Sequence, residues 1–199
     1  SMIELQDGKN EFTDAEYYTR FEDVARPRVR GAYATQLLNL RQDYSSNQQQ
    51  QVDQELTDLL LDIEGDIIQP SAEEIFEGIS EIVNNDDNRQ PLKLVEVCFH
   101  FYNSFSTTTQ QEFHSWMADL FRNWNHNNIE NLFDISEQYD VPIVETEDEV
   151  NAILQQIPNR IDNQGFVRNT IVPAIPRDFD QQLHDKAKSL IKSNNNNHS

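Results

Sequence analysis

The sequence predicts an all-α protein built from stacked antiparallel helix pairs, about eight to ten helices in all, with an irregular helical bundle as the alternative. Three observations carry that expectation. First, Ser71-Ala72-Glu73-Glu74, Thr109-Gln110-Gln111-Glu112 and Thr146-Glu147-Asp148-Glu149 each read S/T-x-x-E, and their first residues lie 38 and 37 positions apart. In such a box the hydroxyl accepts from the amide three residues on, and the glutamate reaches back to the cap residue's own N–H. Second, each box is followed by apolar residues at helical spacing and preceded by another helical stretch. Third, runs with the alternating pattern of strands are negligible, and only 5 glycines punctuate the chain. A helix pair recurring about every 40 residues is the periodicity of HEAT- or armadillo-like superhelical stacks.

Taken in order, residues 1–12 contain few apolar side chains and are expected to form a flexible N-terminus. A single helical domain is expected over 13–192, with a repeat-like centre at 50–157, a C-terminal cap at 160–192 and a disordered tail at 193–199. Thr13-Asp14-Ala15-Glu16 is a further capping box opening a helix to about Val24. The stretch Arg26-Pro27-Arg28-Val29-Arg30-Gly31 predicts a turn, because proline disfavours helical angles at Arg26 and Gly31 weakens a helix interior. Helices are expected over 32–44 and 49–68. In the second, Val52, Leu56, Leu59, Leu60, Ile63 and Ile67 share one face, and Pro70 ends it.

The pattern continues with helices over 72–83, 91–105, 110–124, 129–139 and 147–157. In the third of these, Phe113, Trp116, Met117, Leu120, Phe121 and Trp124 form one broad stripe, which is expected to be core; the two tryptophans are also candidates for an exposed anchor. Val141-Pro142-Ile143-Val144 reads as an extended link, and Pro158 stops the helix before it. Beyond it, Phe166 to Val172 is expected to form a short helix, Pro173 and Pro176 to enforce a bend, and a last helix over 179–192 to close the open end of the stack.

Charge narrows the function classes. The chain holds 35 Asp and Glu against 15 Lys and Arg, a net charge of −20. Residues 42–159 carry 24 acids and 3 bases, so the excess sits in the middle. A field of that sign repels phosphate backbones and anionic lipid, so neither nucleic acid nor membrane is expected as a partner. Cationic proteins are attracted instead. The longest apolar run, Leu92 to Phe105, is broken by Lys93, Glu96, His100 and Asn103, short of the ~20 residues a membrane span requires. The single cysteine, Cys98, cannot form an internal disulfide, and no apolar leader follows Ser1-Met2, so a cytoplasmic setting is expected.

No catalytic, cofactor or metal motif is found. The histidines His100, His114, His126, His184 and His198 include no pair at helical i, i+4 spacing, and no phosphate-cradling glycine loop or nucleophile elbow exists. Cys98 and His100 lie two apart on a helix and point away from each other. Asn84-Asn85-Asp86-Asp87-Asn88 lacks the spaced ligands of a calcium loop. No cofactor is expected.

The candidate binding residues are charged. Asp58, Asp62 and Asp66 follow at i, i+4 and i+8 beside Glu55, on the edge of an apolar face. Like charges at that spacing cost about 0.2–0.5 kcal/mol per pair, so local stability does not call for them. Glu73, Glu77 and Glu81 repeat the spacing opposite the next apolar face and read as a solvated surface. Arg26, Arg28 and Arg30, with Arg20, concentrate positive charge around Pro27, either against the acidic middle or as a site for an acidic group. The leading functional expectation is a non-enzymatic adaptor that binds a basic protein partner through an acidic helical surface. The alternatives are a host-directed effector or polyanion-mimicking inhibitor, and a hydrolase with a metal site near His100 and His114.

Overall fold

The computed structural model describes residues 27–62, 69–85 and 90–197, and these are helical with short connections and no strand among them. They fall into two compact units, divided between Ser106 and Thr107. The expected flexible N-terminus and the helix over 13–24 lie outside the described residues.

The first unit contains α1 (Pro27–Arg41), α2 (Ser46–Leu61), α3 (Gln69–Asn85), α4 (Leu92–His100) and a 3-10 turn at Tyr102–Ser104. The expected turn around Pro27 is instead the start of α1. Proline's fixed φ suits the first helical position, where its missing N–H has no partner to lose. Gly31 is accommodated inside that helix, its carbonyl accepting from Thr35 Oγ1 at 3.0 Å. α2 begins earlier than Gln49 because Ser45 caps it: Gln48 N–H donates to Ser45 Oγ, and Ser45 N–H donates to Gln48 Oε1 at 3.1 Å.

α1 packs on α2 and α3, and α4 packs on α2 and α3. The core between them holds Leu37, Val52, Leu56, Leu60, Ile75 and Ile79, each 1% exposed or less. Ile63 and Ile67, assigned to the same face, lie outside the described residues. α4 stops at His100 rather than near Phe105, and the tight turn after it returns Phe105 to the core, where its ring lies 5.4 Å from that of Phe76.

The second unit contains α5 (Thr107–Asn123), α6 (His126–Tyr139), α7 (Glu147–Leu154), a short α8 (Gln164–Phe166) continuing as a π-helical segment (Val167–Ile171), α9 (Val172–Ala174) and α10 (Gln181–Asn197). α5 and α7 pack closely, and α10 lies against α7 and α9. Asn125 caps α6 by accepting from Asn128 N–H at 2.9 Å, and Asp140 ends it in the left-handed region at φ 53°. The stripe on α5 is core: Trp116 and Trp124 are 4% and 5% exposed, which removes them as an exposed anchor. The link over 141–144 is also core, with Val141, Ile143 and Val144 buried.

The three helix openings need correction in their chemistry. Thr146 is a true cap with a complete box. Ser71 and Thr109 stand third in helices that begin at Gln69 and Thr107. Their first turns are set from upstream, Pro70 entering the first turn of α3 instead of ending the helix before it. The starts of α3, α5 and α7 are nonetheless 38 and 40 residues apart, at Gln69, Thr107 and Glu147.

Candidate functional site: an acidic groove

Between α1 and α3, with the start of α2 at one end, the first unit carries an open groove of about 850 Å³. Its lining includes Leu38, Gly78 and Ile82, the acids Glu74, Glu77 and Glu81, and the neutral polar side chains of Thr35, Asn39, Gln42, Gln49 and Asn85. The spacing 74, 77, 78, 81 and 82 follows one face of α3, since residues three and four apart are neighbours on a helix. Gly78 has a packing reason. A Cβ placed there would come within 2.9 Å of Leu38 Cδ1, so the Leu38 side chain fills the space that the glycine leaves open.

Electrostatics give the groove its sign. Glu74, Glu77 and Glu81 are exposed. The basic residue in the lining, Arg41, is already engaged: Nε and Nη2 donate to the two oxygens of Asp53 at 2.7 and 3.1 Å. Asp53 is only 6% exposed, so this two-pronged pair neutralises a buried carboxylate and fixes the end of α1 on α2. The Arg41 carbonyl accepts from Gln49 Nε2 at 3.1 Å, closing the same corner.

The acids singled out on α2 are placed apart from this groove. Asp58 is exposed and accepts from Gln54 Nε2 at 2.9 Å, and Asp62 is exposed at the end of α2. Glu55 is 8% exposed and turned inward, so it does not continue their row on the surface. Asp66 lies outside the described residues. Arg28 and Arg30 stand in the first turn of α1, while Arg20 and Arg26 lie outside the described residues. Glu77 and Glu81, whose spacing predicts a solvated surface, are exposed and also line the groove. The missed signal was Gly78, an interior helix glycine flanked by acids at helical spacing.

The second unit holds a different constellation. His114 on α5 is 5% exposed. Its Nδ1 lies 3.0 Å from Glu149 Oε1, and its Nε2 lies 3.0 Å from Glu145 Oε2. Glu149 is fully buried, yet it also closes the capping box of α7, accepting from Thr146 N–H at 3.0 Å and Thr146 Oγ1 at 2.9 Å. Burial pushes its carboxyl above the usual range, against the opposing pull of His114 and the Thr146 donors. Nothing in the sequence joins residues 114 and 149; the capping glutamate gave no sign of a second partner.

Both ring nitrogens of His114 are occupied, and among the described residues no group of three or more His, Cys, Asp or Glu is arranged to hold a metal ion. His100 belongs to the first unit and packs its ring 4.8 Å from that of Phe101. Cys98 is buried, and burial drives its thiol well above the ordinary range, which keeps it out of thiolate chemistry. Among the described residues no helix is long and apolar enough to cross a membrane. No protein family, curated protein or solved structure shows a significant match to the chain.

Proposed function

We propose that this chain is a non-enzymatic protein-interaction module that binds a basic protein partner through its acidic helical surface, with the α1–α3 groove as the principal contact. One observation carries the reading. The groove is lined by Glu74, Glu77 and Glu81 together with the apolar side chains of Leu38 and Ile82, while the arginine in its lining is committed to Asp53. A cationic side chain with an aliphatic stem fits both features, its methylenes on Leu38 and Ile82 and its charge among the glutamates. Asp58 and Asp62 extend the same sign of surface on α2 and contribute to steering rather than to the groove. The recurrence of helix starts at Gln69, Thr107 and Glu147 supports the finer architecture, a HEAT- or armadillo-like stack, and a buried, unreactive Cys98 suits a cytoplasmic setting.

Capture from the native cell tests the reading, using wild type and a Glu74→Gln, Glu77→Gln, Glu81→Gln triple variant at low and high salt. A basic protein retained by wild type at low salt, lost at high salt and lost by the triple variant is the expected result. Retention of the same protein by the triple variant contradicts it.

A further inference from the structure

His114 sits between two carboxylates of unequal exposure. Glu149 is 0% exposed, whereas the side chain of Glu145 is 50% exposed. Both contacts are 3.0 Å, one to each ring nitrogen. A neutral imidazole has a single N–H and a single lone pair, and an ionised carboxylate can only accept. If both glutamates are ionised and the ring is neutral, one nitrogen lone pair faces a carboxylate oxygen at hydrogen-bond distance. The cluster is satisfied only when it holds one more proton. That proton makes either an imidazolium between two carboxylates, or a neutral ring that accepts from a protonated Glu149 and donates to Glu145. Both forms have a net charge of −1.

We propose that Glu145, His114 and Glu149 form a proton-dependent latch that ties the link before α7, and the first turn of α7, onto α5. With the proton in place, both nitrogens are bonded and the segment is held at two points. When the proton leaves, the one remaining N–H stays with Glu149, which has no route to water. The lone pair then faces Glu145, whose exposed carboxylate turns out to solvent and frees the end of the 141–146 link. The proton count sets the direction, with release as pH rises, and burial acts the same way by raising the Glu149 carboxyl. Arg160 donates to the Arg122 carbonyl at the end of α5. Arg122 on α5 is bound by Asp119 and by Asp148 of α7; α10, packed on α7, brings Lys186 and Lys188, with His184 on the Pro176 carbonyl and Asp185 accepting from Gln181. Glu112 on α5 and Glu147 on α7 are exposed.

The test is amide hydrogen exchange on the full chain across a pH series, read by mass spectrometry and corrected for intrinsic exchange. In wild type, protection over 141–150 should fall as pH rises, by up to about tenfold per pH unit for one released proton. In Glu145→Gln the fall should vanish, because a carboxamide donates to a bare Nε2 as readily as it accepts. Glu149→Gln should flatten it as well, its amide donating to Nδ1 while its oxygen keeps the Thr146 N–H. Equal wild-type protection at all pH values overturns the latch, as does an undiminished slope in Glu145→Gln, whose half-exposed position keeps that variant folded.

Discussion

Arg41 and Asp53 illustrate what single side chains do here. The pair is bidentate, and Asp53 is buried, so removing either partner leaves a desolvated charge. Asp53→Ala should cost about 2–3 kcal/mol in a urea titration, since the Arg41 side chain is 18% exposed and recovers some hydration. Replacing both with apolar residues of similar size should recover most of that loss. Glu149 offers the pH counterpart. Its carboxyl is raised above the ordinary 4.5, so its contribution is fully present below that value and is lost as pH rises through the higher folded value. The stability of Glu149→Gln relative to wild type should therefore improve from pH 4 to pH 8, as measured by denaturant midpoints. Neither pair was legible in the sequence. Positions 41 and 53, or 114 and 149, meet only because their helices do, and no local pattern records a meeting across the fold.

At the scale of elements, the sequence was legible wherever one face is apolar. The period of Val52, Leu56, Leu59 and Leu60 placed α2, and all four are buried. Boundaries were less legible, because a hydroxyl three residues before a glutamate caps a helix only if no residue upstream has already begun it. Thr146 does cap, so Thr146→Ala should destabilise by about 1 kcal/mol, read as a thermal shift. Pro27 and Pro70 look like breaks by local pattern, yet each stands in the first turn of a helix, where a missing N–H costs nothing. Gly78 belongs to this scale as well. Gly78→Ala gains up to about 1 kcal/mol of helix propensity but presses on Leu38 from 2.9 Å, pushing that side chain into the groove. Stability should change by less than about 1 kcal/mol, while binding of a basic partner weakens; paired unfolding and binding curves separate the two effects.

For the whole molecule, the sign of the surface was plain in the composition, and its arrangement was not. A net charge of −20 gives a field that attracts cations and repels polyanions. It does not say which acids gather beside Leu38 and Ile82, because that depends on how α1 packs on α3. The Asp58 row borders an apolar stripe on its own helix, whereas the groove is lined by residues of two helices together. Local spacing reveals the first kind of edge and is blind to the second.

The most direct measurement is an amide-detected NMR titration of the protein with a lysine-rich amphipathic peptide at low salt. Localised shifts at Thr35, Leu38, Gly78 and Ile82, abolished in the Glu74→Gln, Glu77→Gln, Glu81→Gln variant, are the predicted result. Shifts spread evenly over the acidic surface, Asp58 and Asp62 moving as much as Gly78, or shifts that survive the triple variant, would contradict the groove as the site of recognition.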